Sequence, residues 1–153
     1  TGFYSMVNER ANAMHRIKGR AKYNLSILLV LSTFKPKNYE FSIDGVCFES
    51  KAMLIAVSNG ISYGGGMKVT PDAKLDDGLF DILILTPVSR FEFLRVFPKV
   101  FSGKHITHPA VKISRGKSVE INSDAVAYAD GERIGSLPIK ASVVERGLLT
   151  WRM

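Results

Sequence analysis

The chain has 153 residues, 46% of them apolar, which is enough for one sizeable hydrophobic core and too few for two comfortable domains. A single cysteine, Cys47, excludes an internal disulfide framework and a multi-cysteine zinc site, and fits a reducing compartment such as the cytosol. The formal charge of +7 favours anionic partners (nucleic acid, phosphate esters or an acidic lipid surface) without choosing among them, and the longest apolar runs, Ile27 to Leu31 and Ala52 to Val57, fall far short of the roughly 20 residues that cross a bilayer.

The chain opens on Thr1-Gly2-Phe3 in mid-pattern, without an initiating Met or a secretory leader, so the expectation is a piece of something longer. Val7 to Lys18 reads as a polar helix. Its cations Arg10, Arg16 and Lys18 continue as Arg20 and Lys22 beyond a break at Gly19, and the plain reading of that run is a solvated helix face. A second helix is expected from about Arg20 to Phe34, with Ala21, Leu25, Leu28 and Leu29 at helical spacing. Its nearly all-apolar end asks for burial against a sheet, and Lys35-Pro36 stops it, because the residue before proline avoids the helical region.

From there the period changes to two. Tyr39, Phe41 and Ile43 alternate with polar neighbours, Asp44-Gly45 supplies a tight turn, and Val46 and Phe48 continue the alternation on the way back, so a hairpin is expected with Tyr39, Phe41 and Phe48 in the core. Ala52 to Val57 is a continuous apolar run closed by Ser58-Asn59-Gly60, as for a strand covered on both faces. Leu79 to Thr86 is a second such strand, with Asp81 as its one carboxylate. Ser89 and Glu92 have capping-box spacing and open a helix to about Phe101, terminated by Gly103 and faulted by Pro98. Short strand-like runs follow at Val111 to Ser114, Ser118 to Asn122, Ala125 to Ala129, Leu137 to Val144 and Leu148 to Arg152, with turns at Arg115-Gly116, Asp130-Gly131 and Arg146-Gly147. Short strands at this spacing indicate an antiparallel sandwich or barrel.

Two stretches ask for chemistry. The first runs from Gly64-Gly65-Gly66-Met67 through the Pro71-Asp72 turn to Asp76, Asp77 and Asp81. Three successive glycines suggest a bulge or the close approach of another group, and turn carboxylates with main-chain carbonyls are how a hard cation such as magnesium is held; the alternative is a polar connection. Phosphate cradling by the glycine amides is a weaker option, since neither a P-loop ending nor dinucleotide spacing is present. The second is Asp130-Gly131-Glu132, two carboxylates around a glycine between strand-like runs. A general base for phosphoryl transfer needs such a carboxylate beside the attacking hydroxyl, whereas the plain reading is a common hairpin turn. His15, His105 and His108 show no spacing that pairs ligands for zinc, and Ser58, Ser62 and Cys47 lack a nucleophile-elbow context.

Taken in order, Gly64-Gly65-Gly66-Met67, Pro71-Asp72-Ala73-Lys74-Leu75-Asp76-Asp77-Gly78-Leu79-Phe80-Asp81 and Asp130-Gly131-Glu132, with the opening Gly2-Phe3, Val7-Asn8 and basic helix, resemble the carboxy-terminal half of the diacylglycerol kinase-like lipid kinases. That group includes bacterial lipid kinases and sphingosine and ceramide kinases, and is related in fold to NAD kinases. The resemblance implies a mainly β, antiparallel β-sandwich domain with two or three helices, occupying residues 1–153 as the substrate side of a two-domain ATP-dependent kinase. The family's Gly-Gly-Asp-Gly-Thr nucleotide loop does not occur in these residues, so ATP would be bound mostly by an amino-terminal domain. Carried over, Asp77 would be the side-chain ligand of a structural Mg2+, with Lys74 and Leu79 giving main-chain carbonyls. Glu132 would be the base toward the lipid hydroxyl, with Asp130 as its acidic neighbour or as the base itself.

The partners implied are a lipid substrate at the inner membrane surface and the chain's own nucleotide-binding domain, with room for a homo-oligomer and with no nucleic acid. Two other readings are an NAD kinase-type small-molecule kinase and a basic β-domain docking on nucleic acid. The last needs aromatics interleaved with Lys or Arg on an exposed sheet face.

Overall fold

The computed structural model describes residues 1–14, 20–63 and 66–147. It contains helices α1 (Phe3–Ala13), α2 (Arg20–Thr33) and α3 (Arg90–Val96). The strands are β1 (Lys37–Ile43), β2 (Val46–Ala52), β3 (Leu54–Ser58), β4 (Phe80–Leu85), β5 (Val111–Gly116), β6 (Ser118–Asn122), β7 (Val126–Ala129), β8 (Glu132–Ser136) and β9 (Ile139–Ser142). All pairings are antiparallel: one sheet in the order β2-β1-β6-β9, a second in the order β3-β4-β5, and the hairpin β7-β8. The architecture is a β-sandwich with a helical layer over one face.

The alternation of side chains along a strand shows how the layers are joined. Ile55, Ile82 and Ile84 pack against Tyr39, Phe41, Ile43, Val119 and Ile121 of the four-stranded sheet. Ala56, Leu83 and Leu85 lie on the other face of the same strands, against Phe3, Val7, Val30, Leu31, Phe34 and Phe93 of the helical layer. Strands β3 and β4 are therefore covered on both sides, which is why their sequences read as unbroken apolar runs. The β1–β2 turn has Asp44 at φ 49° and Gly45 at φ 82°, the left-handed pair that a two-residue hairpin loop requires. The Asp44 carboxylate accepts the Lys117 and Ser118 N–H groups, and these bonds hold it below the usual carboxylate range.

Several expectations need correction. Helix α1 starts at Phe3 rather than Val7 and ends at Ala13. It is not a wholly polar helix, since Phe3, Val7 and Ala11 are buried. Residues 15–19, with Arg16, Lys18 and the Gly19 break, lie outside the described residues, as does the expected strand from Leu148 to Arg152. Phe48 is 44% exposed rather than core, because β2 is an edge strand; its ring stacks on Phe41 at 5.4 Å. The helix opened by Ser89 is α-helical only to Val96 and tightens into a 3-10 segment over Phe97–Ser102, with Pro98 in its first turn. A proline without an N–H costs nothing at the start of a helical segment, and Gly103 at φ 75° ends it as expected. The strand expected from Leu137 to Val144 shortens to Ile139–Ser142, and β8 is additional.

Candidate functional site

The Asp72–Asp81 stretch is pinned to the central sheet by charge. Asp77 Oδ1 accepts the Leu79 N–H at 3.0 Å, closing a local turn. Its other oxygen is bonded to Arg115 Nη2, while Arg115 Nε lies 3.2 Å from Asp81 Oδ1. Arg115 and Asp81 are directly opposite on β5 and β4, so strand register sets their meeting. One guanidinium thus bridges a half-buried and a buried carboxylate. Burial pushes the Asp81 carboxyl upward and Arg115 pulls it back, while Asp81 Oδ2 is buried without a hydrogen-bond partner. Asp72, Asp81 and Arg115, with Thr70, Ile106, Val111 and Ile113, line a cavity of about 360 Å³.

The second constellation is built on β7–β8. Asp130 and Gly131 occupy its turn at φ 49° and 89°, and Glu132 opens β8 opposite Ala129. Asp130 and Glu132 are both exposed. The hairpin is fastened to the start of the chain: the Thr1 and Ser5 hydroxyls donate to the Val126 carbonyl at 2.9 and 3.0 Å, and Glu9 lies 4.0 Å from Arg133.

Ser58 and Tyr63 are polar neighbours of these two constellations. Ser58 is the cross-strand partner of Asp81, and its hydroxyl donates to Tyr63 Oη at 3.2 Å. Burial raises the Tyr63 phenol, the Ser58 bond opposes that, and the nearby negative charge of Asp130 adds to the rise. Tyr63 also closes the glycine loop, donating its N–H to the Met67 carbonyl at 3.0 Å, and Met67 Sδ accepts the Tyr4 hydroxyl at 2.9 Å. Gly66 lies at φ 79°, whereas Gly64 and Gly65 lie outside the described residues.

The structure thus brings Asp77 together with Leu79, Asp81 and Arg115, and brings Asp130 and Glu132 into one turn, with the Asp130 charge felt at Tyr63. Lys74 is exposed on the acidic turn. Sequence reading placed Arg115 with Gly116 in a turn, whereas both lie in β5, and it did not single out Tyr63. The signal for Arg115 was a basic residue on a strand with a carboxylate on the preceding one, but it has meaning only once the register is known.

The turn's donors are oxygen atoms throughout, and no three His, Cys, Asp or Glu side chains converge to hold a metal among the described residues. One carboxylate with main-chain oxygens suits a hard, largely hydrated cation such as Mg2+, which keeps several of its waters and uses few protein ligands. Such an ion would share Asp77 with Arg115.

A family model described as the YegS C-terminal NAD kinase beta sandwich-like domain matches residues 1–150. A diacylglycerol kinase of Mycobacterium tuberculosis is 36% identical over 154 residues, covering 99% of this chain and 50% of that protein. One from Bacillus subtilis is 33% identical over 122 residues, 78% of this chain and 40% of that protein. The chain spans about half the length of these curated relatives. A crystal structure of a diacylglycerol kinase from Bacillus anthracis superposes with a TM-score of 0.61 at 23% identity, over 83% of this chain and 44% of that one, a likeness of fold. No helix of the described residues is long and apolar enough to cross a membrane.

Proposed function

Because the chain belongs to the YegS C-terminal NAD kinase beta sandwich-like family, we propose that it is the substrate-side half of an ATP-dependent lipid kinase that phosphorylates a lipid hydroxyl such as that of diacylglycerol. The observation that carries this reading is agreement along nearly the whole chain with relatives named diacylglycerol kinase. ATP is the phosphoryl donor and would be held mainly by an amino-terminal domain, since these residues contain no Gly-Gly-Asp-Gly-Thr loop. The enzyme would work from the cytoplasm at the inner membrane surface.

In this reading Glu132 takes the proton of the lipid hydroxyl. The freed oxygen attacks the γ-phosphorus, and the bond from that phosphorus to the ADP oxygen breaks. Exposure of Glu132 at the tip of a hairpin supports the role, because a lipid head group can reach it without a buried path. Asp130, on the same turn, keeps the local field negative and is the alternative base. Asp77, with the carbonyls of Lys74 and Leu79, would hold Mg2+, whose contribution there is to fix the turn against the sheet.

The test uses the full-length protein with Mg-ATP and either diacylglycerol or NAD. Phosphorylation of diacylglycerol is expected; phosphorylation of NAD alone would overturn the lipid reading. Glu132→Gln should lower kcat by about two to four orders of magnitude with the melting temperature unchanged, the usual weight of a general base, and full activity would remove that assignment. Asp77→Asn should abolish the rise in melting temperature that magnesium confers on the wild type by binding only the native state. An undiminished rise would remove the metal site.

A further inference from the structure

The rod formed by α3 and the 3-10 segment after it has two unlike faces. Phe93 and Val100 are buried on one, with Phe93 and Phe97 stacked at 5.5 Å. The other carries Phe91, Leu94, Pro98 and Phe101 at successive spacings of three and four residues, which places them along one side of a helical rod. Phe91 is 87% exposed, Leu94 41% and Phe101 50%. A lone exposed apolar side chain is ordinary, but a phenylalanine almost wholly in water, repeated down one face, marks an interaction surface.

The surround is cationic. Arg90, Arg95, Lys99 and Lys104 are exposed, and none is ion-paired among the described residues. Glu92, the one acid of the segment, is engaged locally: it accepts the Ser89 N–H at 3.4 Å and lies 3.2 Å from His108 Nε2.

We propose that this face docks on an anionic phospholipid surface, with Phe91, Leu94 and Phe101 entering the boundary between head groups and acyl chains and the four cations meeting lipid phosphates. Charge selects this occupant over a second copy of the chain, because a two-fold contact sets the patch against itself and brings cations against cations. The proposal rests on α3 and its extension and not on the phosphoryl-transfer reading, so either can fail without the other.

The experiment is co-sedimentation of the full-length protein with vesicles of phosphatidylcholine alone or mixed with phosphatidylglycerol. Wild-type protein should bind the mixed vesicles, less as salt rises. Phe91→Ser and, separately, Arg90→Gln/Lys99→Gln should each lower binding about tenfold or more, with melting temperatures unchanged because these side chains are exposed. Three results would overturn the proposal: equal binding by all three proteins, self-association that Phe91→Ser abolishes, or a lower melting temperature in that variant, which would mean another part of the protein covers the face. Turnover of a short-chain, water-dispersed diacylglycerol tests the kinase reading by itself. Its absence in the wild type would sink that reading and leave the docking result standing.

Discussion

Arg115 satisfies two carboxylates of different exposure at once, and its removal leaves the more buried one, Asp81, with neither oxygen paired. Loss of one partner of a fully buried pair is severe; here the Arg115 side chain is 42% exposed, so water partly replaces it, and Arg115→Met should cost about 2 kcal/mol. Adding Asp81→Asn should recover much of that loss, because the uncompensated charge is gone, and additive urea-denaturation free energies would refute the coupling. His105 behaves differently. Its Nε2–H donates to the Val69 carbonyl at 3.0 Å, which leaves Nδ1 buried without a partner, and burial holds the imidazole below its ordinary 6.5. In the interval between the folded value and 6.5 the unfolded chain binds more protons, so stability falls as pH drops through that window and levels off below it. His105→Gln keeps a donor and removes the titration, and denaturation across that window should show a shallower acid slope in the variant. At this scale the sequence announced Asp77 and Asp130 through turn composition. It could not announce Arg115, whose role depends on strand register, or Tyr63, whose role depends on how a loop folds back onto β3.

Elements were legible where the signal is local. Asp44-Gly45 names its own hairpin, and Ser89 with Glu92 names a helix start; the structure forms both halves of that capping box. Ser89→Ala should therefore cost about 1 kcal/mol, seen as a fall of about 3 °C in melting temperature for a chain of this size, and an unchanged melt would mean that α3 is held by tertiary packing alone. The misread elements had signals that were tertiary. β8 carries Glu132, Arg133 and Ser136 on an exposed edge, so no apolar alternation marks it, and only pairing with β7 makes it a strand. Phe48 alternates correctly, yet its strand lies at a sheet edge, where no second layer covers it. In α1 five polar residues are interspersed among six apolar ones, which hid the narrow stripe of Phe3, Val7 and Ala11 at four-residue spacing that docking buries.

In the whole molecule the layering distributes stability unequally. β3 and β4 are covered by the four-stranded sheet on one face and by helices on the other, and Ile55 and Ile82 are fully buried. Opening either strand exposes both clusters, so their amides can exchange only through nearly global unfolding. The β7–β8 hairpin has two strands, an exposed β8, and fastenings to Thr1 and α1 through a few polar contacts, so it should open locally at much lower free energy. The proposed base, Glu132, thus sits on the soft element, while Asp77 is tied through Arg115 to the rigid one. Ile82→Ala separates the two. It should cost about 2–5 kcal/mol, the usual loss for a buried Ile cut to Ala, and lower the protection of β3 and β4 amides by that amount. Exchange in β8 should be unchanged, because the hairpin opens without passing through the core. Native-state hydrogen exchange on wild type and variant tests this: if β8 amides slow to the β4 level in the wild type, or accelerate in step with β4 in the variant, the hairpin belongs to the same cooperative unit and the division into rigid and soft elements is wrong.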